Sequence, residues 1–116
     1  MNNKRLGKYG EDLAQDYLRH QGYKILRRNF RKPYGEIDII ARHNDYLVFV
    51  EVKTRSSLDY GRPSEAVNYK KRRIYSKLAR NYICNYGFGD YPVRFDVIEI
   101  IMNNGDIQYN LITNAF

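Results

Sequence analysis

Asp38, Glu51 and Lys53 stand where a purely structural strand would carry apolar residues. Asp38 interrupts Ile37-Asp38-Ile39-Ile40, and Glu51 and Lys53 interrupt the apolar run that begins at Leu47. Strand side chains alternate, so Glu51 and Lys53 share a face. A hairpin turning at Asn44-Asp45 sets Asp38 opposite Glu51, with Cβ atoms about 4.5–5.5 Å apart. A slip of one residue would send the two acids to opposite faces. Carboxylates that close repel unless something positive compensates them. Lys53 is one such group and a divalent cation is another. Few carboxylates plus water suit Mg²⁺ or Mn²⁺. Such an ion stabilises the charge that develops on a phosphodiester undergoing hydrolysis, while Lys53 would orient the water or the phosphate. The trio thus holds the parts for metal-assisted phosphodiester hydrolysis. The same residues also describe a solvated strand face with an ordinary Glu51–Lys53 or Asp38–Lys53 pair.

The elements that must position this trio follow from periodicity. Leu6, Gly10, Leu13, Ala14 and Tyr17 recur at helical spacing, predicting an amphipathic helix over residues 4–20 that ends near Gly22. Residues 23–27 read as a short strand and Arg28 to Pro33 as a basic loop. Residues 35–41 and 47–53 read as two strands joined through Arg42-His43-Asn44-Asp45. Gly61 and Pro63 punctuate the chain before a long helix, with Ser64 as N-cap, Glu65 in the first turn, Val67, Ile74, Leu78 and Tyr82 on one face, and Gly87 as the stop. Residues 93–102 and 107–112 form a hairpin about Asn104-Gly105. A strand, a long helix and another strand predict a parallel crossover. The expected fold class is therefore α/β, a mixed central sheet flanked by helices.

With 116 residues, 43% of them hydrophobic and 15% aromatic, the chain fills one modest core, and residues 1–116 read as a single domain. Cys84 is alone, which excludes a disulfide framework or a cysteine-rich zinc site. His20 and His43 lack metal-ligand spacing. No apolar leader and no membrane-length apolar run are present, so the expected setting is cytoplasmic, without a membrane. The net charge of +7 is unevenly spread. Residues 1–33 hold nine Lys/Arg against three acids, and residues 69–80 hold six against none. Clusters of this kind form either a solvated helix face or a surface that attracts polyanions, which makes nucleic acid the expected partner class.

Gly35-Glu36-Ile37-Asp38, Val50-Glu51-Val52-Lys53-Thr54-Arg55, Gly61-x-Pro63-x-Glu65-Ala66-Val67 and Arg94-Phe95-Asp96-Val97-Ile98 resemble the bacterial UPF0102, or YraN-like, family. Gly7-x-x-Gly10-Glu11-x-x-Ala14 and Arg28-Asn29-x-Arg31 match it as well. The resemblance covers residues 5 to 101, and the family is regarded as part of the PD-(D/E)xK nuclease-like superfamily, similar to archaeal Holliday junction resolvases. It implies a restriction-endonuclease-like αβββαβ core and a metal site at Asp38, Glu51 and Lys53. Ile37 replaces the usual proline of the signature. A glutamate on the first helix also serves the metal in the resolvases, and Glu11 matches it. The resolvases pair two active sites, which makes a homodimer the expected assembly.

Arg28, Arg31, Thr54, Arg55, Lys70 and Lys71 are candidate phosphate contacts, which position nucleic acid without reading its sequence. Asp96 either pairs with an arginine or supports the site. Tyr69 and Tyr75 either pack or stack on bases. The expected function is a Mg²⁺- or Mn²⁺-dependent endonuclease acting on branched or structured DNA, with Asp38, Glu51 and Glu11 at the metal. The alternatives are a module that binds nucleic acid without cutting it, and a domain whose basic helix docks an acidic protein.

Overall fold

The computed structural model describes residues 3–56 and 68–116. In chain order the elements are α1 (Asn3–His20), β1 (Lys24–Lys32), β2 (Gly35–His43), β3 (Tyr46–Ser56), α2 (Tyr69–Tyr86), β4 (Val93–Asn103) and β5 (Asp106–Ile112). The five strands form one sheet in the order β1-β2-β3-β4-β5. β3 and β4 run parallel, and every other neighbouring pair is antiparallel. This is the mixed α/β sheet with two helices that the sequence predicts.

The run Leu47-Val48-Phe49-Val50 is apolar on every residue because both faces of β3 are covered. Val48 and Val50 join Ile39, Ala41, Ile98 and Ile100 against Ala14 and Leu18 of α1. Leu47 and Phe49 join Ile37 and Ile40 against Tyr75, Leu78 and Tyr82 of α2. Burying side chains of this size stabilises the fold by about 1.5–3 kcal/mol each. Two helices on two faces therefore clamp the strands that carry Asp38 and Glu51.

Two local readings change. Residues 28–32, expected in a loop, extend β1, where Arg28 pairs with Ile39, Phe30 with Ile37 and Arg31 with Glu36. An edge strand tolerates this charge because one side of it meets solvent. The N-cap of α2 is Asn68, whose side chain accepts the Lys71 N–H at 2.9 Å. The expected cap Ser64, with Gly61, Pro63, Glu65, Ala66 and Val67, lies outside the described residues. The far end matches expectation: Gly87 takes the left-handed conformation with φ 78° and its N–H donates to the Ile83 carbonyl.

Two glycines set how closely the helices approach. A Cβ at Gly10 would overlap the Thr54 hydroxyl, so α1 lies directly on β3. A Cβ at Gly35 would overlap Ile74, so α2 lies directly on the start of β2. Each contact sits one short step from an acidic side chain.

Candidate metal centre

The hairpin of β2 and β3 has the expected register, with Ile39 paired to Val50 and His43 to Tyr46. Ile39–Val50 is its last backbone pair. Beyond it the Asp38 carboxylate takes over, accepting the Val52 N–H at Oδ2 over 2.8 Å. Strict alternation would put Ile37 and Ile39 on one face, yet Ile37 packs toward α2 and Ile39 toward α1. The strand turns at Asp38. On its other side Asn29 has a positive φ of 56°, and both residues are skipped between the pairs Arg28–Ile39 and Phe30–Ile37. Asparagine tolerates this conformation better than most side chains.

Because the strand turns there, Asp38 is reached from both faces of the sheet. Toward α1 it lines a cavity with Leu6, Gly7, Glu11, Val52 and Thr54. Toward α2 it shares a cavity of about 420 Å³ with Glu36, Glu51, Lys71 and Tyr75. Glu11, Glu36 and Asp38 each offer one oxygen within 4.8 Å of the others. With its nitrogen turned toward them, the Asn29 carboxamide donates to Glu11 Oε1 at 3.0 Å and Glu36 Oε1 at 2.8 Å.

Glu51 alternates onto the α2 face and is only 4% exposed. Its Oε1 pairs with Lys53 at 3.2 Å and with Lys71, and its Oε2 accepts the Tyr75 hydroxyl. Two ammonium groups therefore answer its charge, and a phenol donates a hydrogen bond to it, from its own face. Burial, then the negative charge of Glu51, pushes the Asp38 carboxyl up to about 7, although the Val52 amide opposes the rise. Burial also raises Glu11, against the pull of Arg28. At Lys71 burial alone lowers the ammonium's pKa, but Glu51 and then Asp38 outweigh it and leave it above its ordinary value. Tyr75 is pushed far up by burial and by Asp38 and Glu51, so it acts as a neutral donor.

Of the residues proposed from sequence, Asp38 and Glu11 meet in one cluster, while Glu51 and Lys53 meet each other on the α2 side of Asp38. The third oxygen in the cluster belongs to Glu36, which the sequence reading passed over. Its two-residue spacing from Asp38 was the available signal. Tyr75 was weighed only as packing or stacking, and Asn29 only as part of a motif. Among the expected phosphate contacts, Arg28 pairs with Asp12 at 2.8 Å and Glu11 at 3.8 Å, and Arg31 with Glu36 at 3.1 Å. Lys71 turns inward to Glu51. Thr54 lies under Gly10, Arg55 follows on β3, and Lys70 is exposed at the mouth of the α2-side cavity. Asp96 faces α1, fully buried, and accepts from both Arg94 Nε and Nη2 at 2.9 Å, from Tyr23 at 2.7 Å and from the Asn114 N–H at 3.0 Å. It ties the last strand region together rather than serving Glu51 on the other face.

A mixed sheet clamped by two helices, with carboxylates from α1 and β2 converging beside a buried Glu51 paired to a half-buried Lys53, defines an α/β protein with a candidate metal centre. The chain belongs to the family described as "Uncharacterised protein family UPF0102", which it matches over residues 10–100. It is 51% identical to the UPF0102 protein of Clostridium acetobutylicum, covering 98% of this chain and 95% of that one. It is 50% identical to the UPF0102 protein of Caldicellulosiruptor bescii over the whole of both chains. With the UPF0102 protein of Alkaliphilus oremlandii it shares 49% identity, over 98% of this chain and 99% of that one. Among the described residues no helix is long and apolar enough to cross a membrane.

Proposed function

We propose that this protein is a metal-dependent endonuclease that hydrolyses phosphodiester bonds in branched or otherwise structured DNA. The observation that carries the reading is the convergence of Glu11, Glu36 and Asp38 within 4.8 Å, beside Glu51 and its two lysines. Three carboxylate oxygens form a hard, oxygen-only donor set, which fits Mg²⁺ or Mn²⁺. Bound there, such an ion would supply charge stabilisation for the pentavalent phosphorus centre. The rest of the work falls to the chain's own groups. Glu11 of α1 and Glu36 and Asp38 of β2 would hold the ion. Asn29 can present its carboxamide oxygen to the same point by turning over. Glu51 holds the ammonium groups of Lys53 and of Lys71, the latter lining the cavity, so that they meet a phosphate oxygen or orient the attacking water. Tyr75 keeps the Glu51 carboxylate in place.

Cutting two strands of one junction in step takes two such sites, so the reading includes a homodimer on DNA, which light scattering tests. The experiment for the activity uses junction, flap and linear DNA with Mg²⁺ or Mn²⁺. Cleavage that disappears in Asp38→Ala and Glu51→Ala is the expected result. Cleavage unchanged by both substitutions refutes the assignment. A module that binds without cutting is favoured by one feature, the complete pairing of Glu51 with Lys53, Lys71 and Tyr75. It predicts salt-sensitive DNA binding with no Mn²⁺ uptake.

A further inference from the structure

We infer that the outer face of α2 is a track for an unpaired DNA strand, which stacks its bases on Tyr34 and Tyr69 and leads into the carboxylates. Tyr69, Arg73, Lys77 and Arg80 recur at steps of four, four and three residues, so they form one stripe. The buried residues Tyr75, Leu78, Ala79 and Tyr82 form the opposite one. No acidic residue occurs anywhere on α2. Among the described residues none of Lys70, Arg73, Lys77 and Arg80 forms an ion pair. Among the described residues no acid answers the positive charge of the stripe, which is the complement of a phosphate backbone.

Two rings are set among these charges. Tyr69 is 75% exposed at the first turn of α2, with the Arg73 guanidinium 5.8 Å from its ring centre. Tyr34, in the turn between β1 and β2, has the Lys77 ammonium 4.1 Å from its ring centre. Both rings line one cavity with Lys70, Arg73, Ile74 and Lys77. That cavity shares Lys70 and Ile74 with the one holding Asp38 and Glu51. It shares Tyr69, Arg73 and Lys77 with a third that reaches Arg80. The three form a continuous groove. From Lys70 to Arg80 it runs about 15 Å at 1.5 Å per residue, room for about four nucleotides at a stacked spacing of about 3.4 Å.

A duplex keeps its bases stacked on one another and offers these rings only its backbone. An unpaired strand offers both phosphates and free base faces, and this combination of charge and aromatic rings matches it. The inference rests on the nuclease reading for its choice of DNA, but its test does not depend on cleavage.

Binding is measured by fluorescence anisotropy in EDTA, with a labelled 20-nucleotide DNA strand and a blunt duplex as probes. Tyr69→Ala should weaken single-strand binding about tenfold, change duplex binding less than twofold, and be rescued by Tyr69→Phe. Arg73→Glu with Lys77→Glu should weaken both. Equal losses on strand and duplex, or no loss in Tyr69→Ala, overturn the track. So does displacement of the DNA strand by equal amounts of RNA, polyglutamate or anionic vesicles. A strand bound as expected by a protein that never cuts would keep this inference and remove the hydrolytic one. Cleavage with Tyr69→Ala binding strand normally would do the reverse.

Discussion

Replacing Asp38 with asparagine should stabilise the protein in the absence of metal while abolishing the proposed cleavage. The Asp38 carboxyl is driven from an ordinary 3.8 up to about 7, mainly by burial and then by Glu51. Between those values the folded state holds a proton that the unfolded chain has released. Stability therefore falls as pH rises from about 4 through 7, and is flat above that. A shift of about three units corresponds to about 4 kcal/mol lost by pH 8, as an upper figure. Asparagine keeps an oxygen for the Val52 N–H and carries no charge. Allowing for imperfect replacement, Asp38→Asn should gain about 2 kcal/mol at pH 8, and nothing near pH 4, where both side chains are neutral.

The assay is urea unfolding in EDTA at pH 4, 6 and 8, followed by the same series with Mn²⁺. The gain should grow with pH, and Mn²⁺ should raise the wild-type midpoint at pH 8 without moving that of the variant. A variant equally or less stable at pH 8, or a gain that does not depend on pH, would refute the argument that Asp38 is a strained, uncompensated carboxylate.

Glu36→Gln should weaken Mn²⁺ binding by about tenfold or more, since even groups that only support ligands cost that much; calorimetry with unchanged affinity would remove Glu36 from the donor set. Tyr75→Phe deletes the hydroxyl that Glu51 accepts, and should cost about 1.5–3 kcal/mol in urea unfolding, the range for a bond to a charged group. A neutral result would mean that Lys53 and Lys71 suffice to hold Glu51. Gly10→Ala drives a methyl into Thr54 and should cost about 1–3 kcal/mol; adding Thr54→Ala should recover most of it, and strict additivity of the two changes in thermal unfolding would exclude the clash.

The fold was legible because its signals are local and agree with one another. Asn104-Gly105 has positive φ at both residues, 50° and 90°, as its hairpin signature requires. The turn at Asn44-Asp45 gives the β2–β3 register from which Asp38 and Glu51 become neighbours. The basic residues 28–32 misled because charge reads as loop, whereas an edge strand pairs on one side only. The site was half legible. Alternation placed Glu51 beside Lys53, but it cannot foresee the turn at Asp38, which lies opposite a left-handed Asn29 in the neighbouring strand. That turn brings Glu36 and Glu11 to Asp38. Tyr75 has the spacing of a core residue and is one, at 1% exposure, so its hydroxyl contact left no trace in the pattern.

The distribution of counter-charge favours Asp38 over Glu51 as the focus of the proposed cation centre. Glu11 has Arg28, Glu36 has Arg31, and Glu51 has Lys53 and Lys71. Among the described residues Asp38 alone of these four forms no ion pair, and its only hydrogen bond is to a neutral amide. It is also the carboxylate whose pKa climbs to about 7. Each of the other acids already has its charge answered by a side chain, so an added cation gains least there. At Asp38 the field of three other carboxylates, Glu51, Glu11 and Glu36, converges on a group that a proton or an ion from solution can neutralise. The proton occupies it below about pH 7, and a divalent ion bound above that pH would relieve the repulsion that folding imposes.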